Sequence, residues 1–265
     1  VSDFDIRKID LAKLNSLTKY PSIPTYHELG DRGTLKDVVG VQFDGAAIVT
    51  EKVDGTSGRV ICCPDGTMIV GSREELLWAR GDLIENTTLR IVESVKPYME
   101  NIRAQSYPNI NKIVVHFFEV YGAKVSPGKA SKNYTAGDAT GCRLFDVAVL
   151  VDSTWQKVMA MDRSEISHWR EGGGQHFVSM EVLREASFLT SMPCVPNRGF
   201  CTPPATIDEA VQLMREYWES KCPLDTGLSG HCEGIVIRSS DRKKIAKLRF
   251  EDYEKTIKAR ERVSK

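Results

Sequence analysis

The run with the most chemical content in this chain is Glu51-Lys52-Val53-Asp54-Gly55. An amine attacks phosphorus only in its neutral form, and a free lysine holds its proton to about pH 10.4. Burial and neighbouring cations lower that value. A lysine ending an apolar strand, just before a glycine turn, is well placed for both effects. Asp54 lies two residues on, on the same side of an extended chain. There a carboxylate can accept a sugar hydroxyl or shape the field around the amine. Taken alone, a K-x-D-G pattern arises by chance. Other residues give it weight. Glu119 sits inside the apolar run FFEVYG, and Glu233 opens EGIVIR. A carboxylate in such a setting is expensive to bury without a partner. Lys247 and Arg249 alternate in AKLRF and so share one face of a strand. Arg and Lys clamp phosphate oxygens, and carboxylates hold a divalent metal directly or through water.

The elements that must position these groups are legible in outline. Residues 46–52 read as a buried strand entering a turn at Asp54-Gly55. GRVICC and TMIVGS flank Pro64-Asp65-Gly66, a hairpin with its turn written in the sequence. An apolar stripe through Leu83, Ile84, Leu89, Val92, Val95 and Ile102 predicts a helix over 82–104, bent at Pro97. IVVHFFEVY (113–121) is a strand, followed by a loop rich in Gly, Ser and Lys. Residues 142–151 and 155–161 are predicted to form a second hairpin around Asp152-Ser153. Helices follow over 163–190, broken at Gly172-Gly173-Gly174, and then a short extended piece over 193–196. Thr206 caps a helix running to about Ser220, with Glu209 at the capping-box position. Strands over 231–238 and 244–250 lead into a charged helix. Strands and helices mix without βαβ alternation, so the expected class is α+β with mainly antiparallel sheets.

The ordered set EKVDG, GSR, FFEVYG, RLFDV, EGIVIR and AKLRF resembles the nucleotidyltransferase motifs of the polynucleotide ligase and mRNA-capping superfamily. It spans residues 51 to 249, and six short motifs in order are far more specific than any one. The resemblance implies an adenylyltransferase (ATP-grasp-like ligase) domain flanked by helices. It implies that Lys52 forms a lysine-AMP phosphoramidate and that Asp54 and Gly55 complete the first motif. Arg73 would contact the nucleotide or an incoming 5′-phosphate, Glu119 the ribose, and Phe145 would stack on adenine. Glu233 would support the metal, Mg²⁺ or Mn²⁺. Lys247 would contact the α-phosphate, and Arg249 takes the place of a second lysine. DNA ligases usually place an arginine two residues after the motif glycine. Here that position is Ser57, the nearest arginine is Arg59, and Arg59 is placed among the nucleotide contacts. The Glu51 before the lysine and the Thr-Ser after the glycine are more like RNA ligases, in which the backbone beside that glutamate reads the adenine edge.

The expected activity is therefore ATP-dependent joining of RNA 5′-phosphate and 3′-hydroxyl ends, through lysine-AMP and A(5′)pp(5′)RNA, in RNA repair. The substrates would be RNA ends or a nicked duplex, with an end-healing kinase or phosphatase as a possible partner. DNA nick sealing is an alternative. A GTP-using capping enzyme is another, and a catalytically dead end-binding module a third. Only 16 residues follow Arg249, which leaves no room for an OB or helical C-terminal domain. The 265 residues are read as one adenylyltransferase domain, either minimal or a truncated form.

Composition sets bounds. Net charge is zero, yet residues 238–265 hold 11 Lys plus Arg against 5 Asp plus Glu, a basic end that suits phosphate or simply solvent. No apolar run approaches the roughly 20 residues that cross a bilayer, and the start lacks a signal core. Seven cysteines without CxxC knuckles suggest reduced thiols and a cytoplasmic setting. None of the five histidines pair at metal spacing, and His116 is read as a packed residue. The four tryptophans, Trp78 and Trp155 among them, are read as packing. Lys124, Lys129 and Lys132 form a basic loop that either meets a nucleic-acid backbone or is solvated.

Overall fold

The computed structural model describes residues 4–79, 82–83, 90–106, 111–126 and 130–263. In chain order its elements are α1 (Leu11–Thr18), β1 (His27–Leu29), β2 (Leu35–Val39), β3 (Ala47–Lys52), β4 (Thr56–Cys62), β5 (Met68–Ser72), β6 (Leu76–Ala79), β7 (Asp82–Leu83), α2 (Ile91–Val95), α3 (Met99–Ser106), β8 (Lys112–Gly122), β9 (Thr140–Val151), α4 (Asp152–Met159), α5 (Arg163–Glu171), α6 (Met180–Thr190), β10 (Asn197–Cys201), α7 (Ile207–Glu216), β11 (Gly234–Arg238), β12 (Ile245–Arg249) and α8 (Phe250–Val263). One sheet runs β7-β6-β5-β4-β8-β9, a second β10-β3-β11-β12, and β1-β2 form a small ribbon. Every ladder is antiparallel. This is the expected α+β class with helices flanking the sheets. Among the described residues no helix is long and apolar enough to cross a membrane.

The six-stranded sheet is buried on both faces, which is why β8 reads as an unbroken apolar run. Val114, Phe118 and Val120 pack on one side with Ile91, Val95, Ile102 and Leu183. Ile113, Val115 and Phe117 pack on the other with Leu14, Leu17, Trp155 and Ile166. The four-stranded sheet rests on α7 and α8 through Val49, Ile235, Leu248, Met214 and Tyr253. Each fully buried aliphatic or aromatic side chain contributes about 1.5–3 kcal/mol. His116 is 3% exposed on β8, where burial pulls its pKa down to about 4, so it packs there uncharged.

Several elements depart from the sequence pattern. Asp82–Leu83 pairs with β6 as a strand instead of starting a helix. The helix begins at Ile91 and bends through a single 3-10 turn at Lys96–Tyr98, around Pro97. Ile84 and Leu89 lie outside the described residues. The segment expected as a second hairpin strand is instead α4. Trp155 and Val158, three apart, turn one helical face to Phe4, Leu14 and Leu17, and β9 pairs back along β8 from Thr140 to Val151. Thr206 caps α7 by accepting from the Glu209 N–H, but Glu209 returns its bond to the Ala205 N–H and not to Thr206. That helix stops at Glu216, and the strand expected from His231 begins at Gly234.

Two crossings join the sheets. β3 belongs to the four-stranded sheet and β4 to the six-stranded one, so Val53-Asp54-Gly55 is the bridge between them. The extended piece 193–196 is the other. Leu144 in β9 donates to the Pro193 carbonyl and accepts from Val195, while Glu51 in β3 donates to Pro196.

Candidate active site

Between the sheets lies a cavity of about 400 Å³. Its walls come from the ends of β3, β4, β8, β9, β11 and β12, together with the segment 20–23. Lys52, Asp54, Gly55, Arg73, Glu119, Phe145, Glu233, Lys247 and Arg249 all line it. The register explains why residues so distant in sequence converge. Lys52 pairs with Gly234, and Gly234 with Arg249, across three adjacent strands.

Lys52 Nζ donates to the Glu233 carboxylate, while Glu233 N–H donates to the Lys52 carbonyl at 3.1 Å. Lys247 and Arg249 share the expected face. Burial, and then the charges of Arg249 and Lys52, hold the Lys247 ammonium below the usual lysine value. Arg249 is braced by a two-pronged bond to Asp252 in α8, both contacts at 2.8 Å. Burial and the Glu233 charge raise the Asp54 carboxyl. Its backbone is clamped on both sides. Its N–H donates to Tyr134 Oη at 2.8 Å, and its carbonyl accepts from Ser126 Oγ. Gly55 is required here, because a Cβ would stand 2.1 Å from the Val120 carbonyl oxygen.

Glu119 is pushed up to about 8, chiefly by burial, with Glu233 and Asp54 adding to the rise and Lys52 opposing it. A carboxyl raised in the folded state binds its proton more tightly there than in the unfolded chain. Stability is then full below about 4.5 and falls as pH rises towards about 8. Glu119→Gln is expected to remove this decline. The check is the difference in urea midpoint between wild type and variant across that window, and equal slopes would sink the assignment.

Two expected contacts behave otherwise. Glu51 borders the cavity with its backbone, but its carboxylate points away, accepting from Ser220 Oγ and from the Lys221 N–H at 2.8 Å. Arg59 does not line the cavity. It is 1% exposed and donates to the Ser72 carbonyl and Asn15 Oδ1. It shares a face of the sheet with Ser57 and Glu119, which line the cavity, but pairs with Phe117 further along β4. There it braces the turn that carries Arg73, whose side chain is exposed beside Glu74.

A buried network under Phe145 was not anticipated. Tyr20 donates to Asp146 at 2.8 Å, and Arg242 donates to both Asp146 and Tyr20 at 2.6 Å. Arg238 stands 3.5 Å from the other Asp146 oxygen. Tyr20 packs edge-on to Phe145 with centroids 5.0 Å apart. Asp146 inside the apolar RLFDV strand was the available signal, since a buried carboxylate needs partners. Of the basic loop, Lys124 pairs with Asp138 at 3.3 Å, Lys132 is exposed, and Lys129 lies outside the described residues.

Among the described residues no three His, Cys, Asp or Glu side chains converge tightly enough to hold a metal alone. Asp54, Glu119 and Glu233 nevertheless offer hard oxygen donors at one end of the cavity. That set fits a cation such as Mg²⁺, which keeps several waters and takes further ligands from phosphate.

A protein-family model described as RNA ligase matches residues 45–259. No curated relative matches the chain. Solved structures of Naegleria gruberi RNA ligase share its fold. A lysine-to-methionine mutant with AMP and Mn is 13% identical, with a TM-score of 0.54, over 89% of this chain and 63% of that one. A glutamate-to-alanine mutant with ATP and Mn is 14% identical, with a TM-score of 0.52, over 91% and 62%. The enzyme with PPi is 15% identical, with a TM-score of 0.51, over 90% and 64%. The present chain thus spans less than two thirds of the length of these relatives.

Proposed function

Because the chain belongs to the RNA ligase family, we propose that it is an ATP-dependent RNA ligase that works through a lysine-AMP intermediate at Lys52. The observation that carries this is the placement of one amine, Lys52, against Glu233, in a cavity lined by four further cationic residues and by Tyr20 and Phe145. The Naegleria structures contain ATP, AMP or PPi, ligands of the same chemistry.

In the first step Lys52 Nζ attacks the α-phosphorus of ATP. A P–N bond forms, the P–O bond to pyrophosphate breaks, and Glu233, already bonded to Nζ, takes the amine proton. Lys247 and Arg249 offset the charge that develops on the phosphate oxygens. Phe145 stacks on the adenine, Glu119 accepts from the ribose, and the backbone at Glu51 reads the base edge. Mg²⁺ or Mn²⁺, which Glu233 would hold through water, would supply further neutralisation of phosphate charge. In the second step the 5′-phosphate of an RNA end, met by Arg73, attacks the bound AMP, forming A(5′)pp(5′)RNA and freeing Lys52. In the third a 3′-hydroxyl displaces AMP and forms the phosphodiester. Positioning and electrostatics supply most of the acceleration in such transfers.

The proposal treats residues 1–265 as one adenylyltransferase unit acting on RNA ends or nicked duplex, in RNA repair, with an end-healing kinase or phosphatase as a natural partner. All seven cysteines are free, which suits a reducing, cytoplasmic setting. The test is intact mass after incubation with Mg²⁺ and ATP or GTP, then sealing of nicks whose 3′-hydroxyl lies on RNA or DNA. A one-AMP gain with ATP alone and preferential sealing of RNA are expected. A folded, initially unmodified protein that gains no nucleotide would overturn the reading.

A further inference from the structure

Trp218 differs from a packed tryptophan. It is 43% exposed, and its ring lies nearly parallel to that of His231, with centroids 4.5 Å apart and an interplanar angle of 23°. His231 is itself exposed. Phe250 braces the indole edge-on at 4.6 Å. Two planar rings stacked in water leave apolar surface uncovered. Neither ring lines the nucleotide cavity, yet both are tied to its catalytic end. Cys232 donates to the Trp218 carbonyl, Glu233 to the Lys52 carbonyl, and Phe250 to the Glu233 carbonyl. The segment carrying Trp218 is anchored from beneath by the Glu51 carboxylate, through Ser220 and Lys221. His231 is close enough to Asp54 for its charge to lower that carboxyl's pKa.

Resting on the ligase reading above, we infer that the Trp218–His231 stack is a platform for a nucleobase of the RNA strand whose end is delivered to Lys52. An RNA end that reaches Lys52-AMP must lie against the surface next to Lys52 and Glu233, and the segments that carry these rings adjoin it through the Cys232–Trp218 and Glu233–Lys52 backbone bonds. Stacking on an aromatic face suits an enzyme that accepts many end sequences, because every base has a π-face. Charge agrees at one side. The His231 N–H donates to Asn133, and the neighbouring Lys132 is exposed with no ion-pair partner among the described residues, free to meet a phosphate. Glu219, which pairs with His231 through a backbone bridge, is already balanced by Lys221 at 2.5 Å.

The experiment measures self-adenylylation with ATP and sealing of a nicked RNA, together with tryptophan fluorescence during RNA titration. Trp218→Ala and His231→Ala should self-adenylylate as wild type does, and KM for the nicked RNA should rise roughly tenfold, the scale of one lost base–aromatic stack. RNA should quench wild-type fluorescence and leave Trp218→Phe unchanged, a readout that survives if Trp218→Ala fails to fold. Equal KM values, or RNA binding seen by anisotropy without a Trp218-dependent fluorescence change, would overturn the platform. A wild-type protein that binds RNA but never takes AMP would overturn the ligase reading instead, and the fluorescence comparison would still decide the platform.

Discussion

Lys52→Ala is expected to abolish the covalent AMP adduct and to lower sealing from ATP by more than about a thousandfold, because it removes the amine that forms the intermediate. Lys52→Arg should be equally inactive, since a guanidinium stays protonated and is a poor nucleophile. Both variants should fold. The Lys52 side chain is partly exposed at the cavity wall, so its loss opens no core void. The decisive comparison supplies RNA that already carries a 5′-adenylyl group. Joining that substrate needs the cavity, its cations and the 3′-hydroxyl, but no lysine nucleophile. Lys52→Ala should therefore retain far more activity on it than on ATP and 5′-phosphate RNA. Equal losses on both substrates would make Lys52 a positioning residue and not the nucleophile. Gel assays of adduct and product with each substrate separate the two outcomes.

Asp146→Ala should produce the largest loss of stability. The Asp146 carboxylate is fully buried and meets Arg242 at 2.6 Å and Arg238 at 3.5 Å, while accepting from Tyr20. Removing it leaves two guanidiniums in the interior with their counter-charge gone. Breaking a buried pair from one side typically costs about 3–5 kcal/mol. Arg242→Ala should cost less, because Arg238 stays beside Asp146. The double variant should then be less damaging than the two single losses added, since both act on one network. Urea denaturation of the three proteins reads this directly, and additive losses would show that the network is not a unit. The network also joins the sheets. Arg242 comes from the turn between β11 and β12, Asp146 from β9 and Tyr20 from the segment crossing the cavity. Its loss should therefore weaken ATP binding as well, through the Phe145 and Tyr20 packing.

Most of the candidate site was legible because its parts sit in short apolar strands. Period-two alternation places Lys247 and Arg249 on one face whatever the partner strand, and a carboxylate inside FFEVYG or opening EGIVIR declares itself by its burial cost. Alternation puts Arg59 on the same face of β4 as Ser57, and only the fold carries it beyond the cavity, where it bonds Ser72 and Asn15. Local pattern failed where tertiary packing chose between conformations. Residues 152–159 became α4 because Trp155 and Val158 found a core at helical spacing, and Asp82–Leu83 became a strand because β6 was there to pair with.

What the sequence by itself determined was the inventory of chemistry: one lysine before a glycine turn, carboxylates in apolar strands, alternating cations, and the motif order that marks the family. Side-chain type and spacing along a strand are local properties, so one chain suffices to read them. Tertiary structure alone decided the pairings. It set Lys52 against Glu233, turned the Glu51 carboxylate away to hold Ser220, and gathered Tyr20, Asp146, Arg238 and Arg242 from across the chain. These depend on strand register and on the two sheet crossings. Such contacts form between residues far apart in sequence, where no local periodicity carries the information.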